Sequence, residues 1–265
     1  MLSCDDDTPF AVFNAHGEGD VLLVCEHAIA TIPSVFAGLG LEQHALMSHI
    51  AWDPGALELS MRLAKMLDAI LCYQRYSRLL YDCNRPPESP SAIPEKSEVH
   101  DIPGNRNLSL QERHQRVEKF YRPFQRGLSG LLEARRKSGR QTALVTIHSF
   151  TPVFFGKARE VEVGILHDVD RRLADAILVQ TDTLDCHYVT HRNEPYGPED
   201  GVTHTLVEHG IQNGLLNVMV EVRNDLLQTQ EQIDAMAAYL GGLISNALLP
   251  DSKWPRTIDQ TGGRL

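Results

Sequence analysis

Two apolar runs that each end in a histidine constrain this chain more than any other feature. Val21-Leu22-Leu23-Val24-Cys25 is followed at once by Glu26-His27, and Thr142-Ala143-Leu144-Val145-Thr146-Ile147 by His148-Ser149. A short run rich in β-branched residues and closed by turn chemistry reads as a strand buried on both faces. Such strands belong to sheets covered by helices, and open α/β sheets hold ligands outside the carboxyl ends of their strands. Glu26, His27 and His148 therefore stand where a sheet of this kind does its chemistry. A single histidine at a strand end is readily explained as a hydrogen-bonded structural group. Two, at the ends of separate central-type strands, are harder to explain that way.

The rest of the periodicity alternates between strand and helix. An edge strand is expected near Phe10-Ala11-Val12-Phe13 and a short helix over 43–49. Asp53 at N-cap and Pro54 at the first helical position then open a helix running to about residue 70, with Leu59, Leu63, Met66 and Leu67 on one face. Strands are predicted over 69–73, over the run 76–87 that ends in the turn Asn84-Arg85-Pro86-Pro87, and over 160–166, 186–189 and 216–225. Helices are predicted over 110–136, kinked or split at Pro123, and over 170–179, 202–209 and 229–246. Arg113, Arg116 and Arg122 read as part of a solvated helix face, with substrate contact the sharper alternative. Residues 86–108 form a long irregular connection, a candidate lid, and 250–265 a polar tail. Without internal repeats, this pattern predicts one domain over 1–265: a three-layer α/β/α sandwich on a mixed, largely parallel sheet.

Bulk properties exclude several partners. A formal net charge of −10 opposes binding to nucleic-acid backbones. No run approaches the roughly 20 apolar residues of a membrane span. Acidic residues stand at the N-terminus where a signal peptide carries basic ones, so a cytoplasmic location is expected. The five cysteines show no CxxC spacing and read as reduced thiols. Cys25 and Cys83 lie beside candidate site residues, but each follows an apolar run and reads as small core filling.

The chemistry these residue types support is metal-assisted hydrolysis. His27, His148 and Asp53 supply three ligands to Zn²⁺ and leave a position open, as a catalytic zinc site requires. Glu221, late in the strand Leu216-Asn217-Val218-Met219-Val220-Glu221, is the candidate general base. Arg85, with Asn84 setting the turn, is suited to a bidentate grip on a substrate carboxylate. Arg78, Ser149, Arg223 and Asn224 complete the candidate substrate-binding set. Plainer readings stand beside each of these: Asp53 a helix cap, Arg85 a surface group, Glu221 a salt-bridged strand end.

The motifs taken in order resemble the N-formylglutamate amidohydrolase family. They are Glu26-His27, Trp52-Asp53-Pro54-Gly55-Ala56, Ser77-Arg78-Leu79 leading to Asp82-Cys83-Asn84-Arg85, His148-Ser149-Phe150-Thr151-Pro152, Asn193-Glu194-Pro195-Tyr196-Gly197, and Glu221-Val222-Arg223-Asn224. The resemblance implies a zinc-dependent amidohydrolase on the phosphorylase/hydrolase-like fold of zinc carboxypeptidases. It implies a small acidic N-acyl amino acid as substrate, N-formyl-L-glutamate first, and a place in histidine degradation. Asn84-Arg85 looks like the Asn-Arg pair with which zinc carboxypeptidases grip a carboxylate. Zinc-dependent cell-wall amidases of similar fold use a His, a helix-start acid, a second His and a late Glu; His27, Asp53, His148 and Glu221 look like that order. Asp53 departs from it by being Asp rather than Glu, and its shorter reach leaves Glu26 as the alternative ligand. Other readings remain open: a deacylase for another N-acyl amino acid or small peptide, an acyl-transfer enzyme using Ser149 or Cys25 as nucleophile, and a non-catalytic carboxylate-binding relative. Another divalent metal in place of zinc also stays open, and neither the native metal nor the oligomeric state is legible.

Overall fold

Strand β2 (Val21–Cys25) and strand β4 (Ala143–Phe150) are buried along their whole length, as strands covered on both faces must be. The structure, a computed structural model, describes residues 8–181 and 188–249. The N-terminal residues, the tail and the start of the strand expected over 186–189 lie outside these. The other strands of the main sheet are β1 (Phe10–Phe13), β3 (Ile70–Gln74), β5 (Val163–Leu166), β6 (Thr190–Arg192) and β7 (Leu216–Arg223). Their order is β1-β3-β2-β4-β7-β5-β6. Pairs β3-β2, β2-β4, β4-β7 and β5-β6 are parallel; β1-β3 and β7-β5 are antiparallel.

Alternate residues of each strand feed two cores. Val21, Leu23, Cys25, Val145 and Ile147 face helix α1 (Ala56–Met66) together with helices α4 (Arg172–Thr181) and α5 (Gln230–Ala247). Leu22, Val24, Cys72 and Leu144 face the opposite layer, which holds Phe120, Phe124 and Leu128. Phe120 comes from the π-turn Val117–Tyr121 that follows helix α2 (Leu110–Arg116), and Phe124 and Leu128 from helix α3 (Arg122–Lys137). The interruption expected at Pro123 thus appears as a π-turn one step upstream, with Pro123 in the first turn of α3, where its missing N–H is harmless. The expected sandwich and mixed sheet are present.

This topology places a site. From β2 the chain crosses over α1 to β3 on one side, then returns over α2 and α3 on the other face to β4. Right-handed crossovers in opposite directions leave a crevice between β2 and β4 at their carboxyl ends. His27 follows β2, and His148 stands in β4.

Three local expectations are corrected. Residues 76–87 contain no strand: β3 is already flanked by β1 and β2, so no edge is free for it. Leu79, Leu80, Tyr81 and Cys83 fill the second core from turns instead. Asp53 does not cap a helix, since α1 starts at Ala56 behind Gly55, whose φ is +80°. Its carboxylate faces two imidazoles and Arg78, interactions that outweigh a cap worth about 1 kcal/mol. Arg116 is not solvated: it is buried and donates to the carbonyls of Leu80 and Gly104 and to Asn105 Oδ1, tying α2 to the long connection.

Gly55 fixes how the Asp53 loop enters α1. A Cβ there would lie 2.4 Å from Leu227 Cβ, on a backbone conformation that L side chains rarely adopt. Gly55→Ala is expected to destabilise the protein by about 2–3 kcal/mol, read as a lowered denaturation midpoint at unchanged m-value. A midpoint equal to wild type would show that this turn does not constrain the loop.

Candidate metal centre and its surroundings

Three buried side chains converge at the crevice. Asp53 N donates to His27 O at 2.9 Å, which ties the loop before α1 to the end of β2. The two Nδ1 atoms of His27 and His148 are 3.1 Å apart. Asp53 Oδ2 lies 3.2 Å from the first and 2.9 Å from the second. Among the described residues, this is the group of acidic and imidazole side chains whose ligand atoms gather closely enough to hold one ion. A tetrahedral ion with bonds of 2.0–2.1 Å separates its ligand atoms by about 3.3 Å, so this triangle matches one face of such an ion.

The outer ring nitrogens decide where the lone pairs point. His27 Nε2 donates to Asp82 Oδ1 at 2.8 Å, which turns the Nδ1 lone pair toward the cluster. His148 Nε2 lies 3.2 Å from Glu26 Oε2 as an ion pair, though off the line of a hydrogen bond. Each imidazole is therefore backed by a carboxylate, the usual support of a metal-binding histidine. Arg78 spans the acids, 2.8 Å from Asp82 Oδ2 and 3.5 Å from Asp53 Oδ1.

Charge separation follows this arrangement. Burial alone would raise Asp53 and Asp82, but the imidazoles outweigh it at Asp53, and His27, Arg78 and Arg85 at Asp82, so both carboxyls sit below their usual range. Burial also opposes charge on His148, yet Glu26 and Asp53 hold its pKa well above that of free imidazole. Glu221 goes the other way. It lies opposite His148 in the parallel register of β7 on β4, so the two side chains project on one face. Burial, then Asp53 against the opposing pull of His148, pushes its carboxyl up to about 7. Its Oε2 is buried without a hydrogen-bond partner.

The remaining candidates divide. Asn84 is buried with its amide fully engaged: Nδ2 donates to Val202 O at 2.5 Å and Oδ1 accepts from Thr205 N at 3.0 Å. It anchors the segment 202–205 to the turn. Arg85 donates to Asn84 O at 2.9 Å and has no carboxylate at ion-pair distance among the described residues. Arg223 is committed to Asp225 and Glu162 and to the carbonyls of Arg159 and Glu160. Asn224 begins the turn Asn224–Leu226 and lines a cavity of about 600 Å³ with Trp52, Pro54 and Thr151. Ser149 Oγ donates to Pro54 O at 2.8 Å and has no histidine partner among the described residues, so nothing there activates it as a nucleophile. Burial and nearby carboxylates push the Cys25 thiol well up, away from a reactive thiolate. Glu26, the alternative ligand, faces the outer nitrogen of His148 rather than the converging atoms.

Sequence reasoning did not assign Asp82, Tyr196 or Arg159. Asp82 and Tyr196 stood inside quoted motifs, but a residue that acts through another's tautomer leaves no spacing signature. Tyr196 lies in the loop 193–201, its phenol raised by burial and by Glu221. Arg159 follows a short hairpin beyond β4, its guanidinium 4.5 Å from the centre of the Phe154 ring and 4.9 Å from that of Tyr196.

Comparison with known proteins bears on the whole crevice. A search of curated proteins finds no match. Among solved structures, the gene product Atu2144 from Agrobacterium tumefaciens is 54% identical over 90% of this chain and 94% of its own, with a TM-score of 0.88. N-formylglutamate amidohydrolase from Ralstonia eutropha JMP134 has a TM-score of 0.66 over 91% of this chain and 97% of its own. At 16% identity, that second likeness speaks to the fold. The model of the N-formylglutamate amidohydrolase family matches residues 19–228, a span that contains every residue of the crevice named above. The chain belongs to the N-formylglutamate amidohydrolase family.

Proposed function

We propose that this protein is a metal-dependent amidohydrolase that removes the acyl group of an N-acylated acidic amino acid, converting N-formyl-L-glutamate to formate and L-glutamate. The observation that carries this reading is the triangle of His27 Nδ1, His148 Nδ1 and Asp53 Oδ2 beside a partnerless, protonatable Glu221. Two imidazoles and one carboxylate suit zinc. When bound, the cation supplies Lewis-acid polarisation of the scissile carbonyl and makes a water molecule easier to deprotonate.

The protein's own groups do the rest. Asp82 holds His27 in the ligating tautomer by a hydrogen bond, and Glu26 backs His148 as an ion pair. Arg78 offsets the negative charge of Asp53 and Asp82. Glu221 Oε2 accepts the proton of the attacking water and returns it to the leaving amine; a carboxyl near 7 is suited to both transfers at neutral pH. Arg85 takes a substrate carboxylate and orients the amide above the cluster.

Purified protein is expected to hold about one zinc per chain, and chelation should abolish hydrolysis of N-formyl-L-glutamate until zinc is restored. Metal analysis and rates measured on the same sample check this; full activity in stripped protein would overturn the metal assignment. His148→Ala should lose the metal as well as the activity. Glu221→Gln should keep the metal and lose about 10²–10⁴ in kcat. A Gln variant with undiminished turnover removes Glu221 as the base.

Stability of the metal-free protein gives a second handle. A carboxyl at about 7 in the fold and near 4.5 unfolded binds more protons folded than unfolded between those values. Stability therefore falls as pH rises through that window, by on the order of 3 kcal/mol. Glu221→Gln should lack this loss, so its melting temperature should exceed that of metal-free wild type more at pH 8 than at pH 4. Parallel pH profiles would show that Glu221 is not held protonated.

A further inference from the structure

Four arginines surround the crevice, and two of them are committed to carboxylates: Arg78 to Asp82 and Asp53, Arg223 to Asp225 and Glu162. Arg85 and Arg159 have no carboxylate at ion-pair distance among the described residues. Both are half-buried, and unlike the buried Arg116, whose donors are taken up by carbonyls and by a side-chain oxygen, they keep donors facing the crevice end of the sheet.

Arg159 is also positioned with care. Three rings pack around its guanidinium, with centroids at 5.4 Å for Phe150, 4.5 Å for Phe154 and 4.9 Å for Tyr196. Its backbone is pinned on both sides, since Arg159 N donates to Pro152 O at 2.9 Å and Arg159 O accepts from Arg223 Nη1 at 3.2 Å. Of its side-chain donors, Nη1 reaches Thr151 O at 3.3 Å. Aromatic faces stabilise a guanidinium by cation–π attraction and leave its edge donors for a planar, bidentate acceptor. Phe150 links this cage to the crevice, because it stands two residues beyond His148 on β4 and on the same face of the strand; the Tyr196 phenol, in the same cage, is raised by burial and by Glu221.

We propose that Arg159, presented by the cage of Phe150, Phe154 and Tyr196, is the specificity-determining anchor for a second carboxylate on the ligand, opposite the one held by Arg85. This deepens the function proposed above and rests on it for the identity of the ligand. A glutamyl skeleton carries two carboxylates, and each needs its own guanidinium. A second guanidinium is a direct way to favour an acidic side chain over a neutral one.

Binding of two unreactive probes tests the anchor apart from turnover. Glutarate carries both carboxylates of the glutamyl skeleton, and butyrate carries one. Calorimetric titration of wild-type protein is expected to show glutarate binding at least ten-fold tighter than butyrate. Arg159→Gln should bring the two within two-fold by weakening glutarate alone. Phe154→Leu, which leaves the charge but removes the nearest ring, should weaken glutarate two- to five-fold. It also decides the matter if Arg159→Gln fails to fold. A wild type without preference, a Gln variant that keeps it, equal weakening of both acids, or unchanged glutarate binding by Phe154→Leu would each overturn the inference. A protein that shows the expected binding pattern yet leaves N-formyl-L-glutamate intact would sink the proposed reaction and leave the dicarboxylate anchor standing.

Discussion

The crevice is held together by one oxygen, Asp53 Oδ2, which lies within 3.2 Å of both imidazoles. Everything else in the site is arranged so that this convergence is tolerable. Four carboxylates, from Glu26, Asp53, Asp82 and Glu221, are buried within one sheet end. An ionised carboxylate taken out of water costs several kcal/mol unless it is paired. Three of the four are paired, to His148, to both imidazoles and to His27 and Arg78, and their protons are held off accordingly. The fourth, Glu221, has no ion-pair partner among the described residues, and burial raises its carboxyl to about 7 instead. The same low-dielectric environment thus produces three acids held below their usual range and one raised above it, and the difference is the charge of their neighbours.

On the function proposed above, a divalent cation would relieve the crowding of protons in this frame. The Nδ1 atoms of His27 and His148 face each other at 3.1 Å, where both cannot carry a proton without strong repulsion. Exchanging the remaining proton for a divalent ion would satisfy two lone pairs and one carboxylate at once, and the energy of doing so is energy of folding for the crevice. The two cores on either side of the sheet supply the stiffness that keeps three such groups in place until then.

What the sequence made legible follows the reach of its signals. His27, His148 and Glu221 end or lie near the ends of strands whose apolar patterning is strong, so their convergence followed from topology. Asp53 was visible for two incompatible reasons, and local helix chemistry suggested a cap that tertiary contacts overrode. The run over 76–87 has the composition of a strand, and only the occupancy of both edges of β3 forbids it. Arg223 shares a face of its strand with Glu221, but its partners Glu162 and Asp225, which the sequence does not announce, decide its use. Asp82 and Arg159 act through neighbours distant in the chain, and no period encodes that.

The division between strand and loop also separates two kinds of task. The imidazoles stand on or directly after β2 and β4, and Glu221 is fixed by the register of β7 on β4, so their spacing varies only if the sheet itself deforms. Arg85, Arg159 and Tyr196 come from turns, a hairpin and a loop that leave the sheet at the same end. Loops accept substitution without altering the strands that carry them. On the proposed function, a chain built in this way can keep one hydrolytic centre while the arginines and aromatic rings of its loops change with the ligand. Substrate identity should therefore track residues such as Phe154 and Arg159 far more closely than the metal-binding triangle.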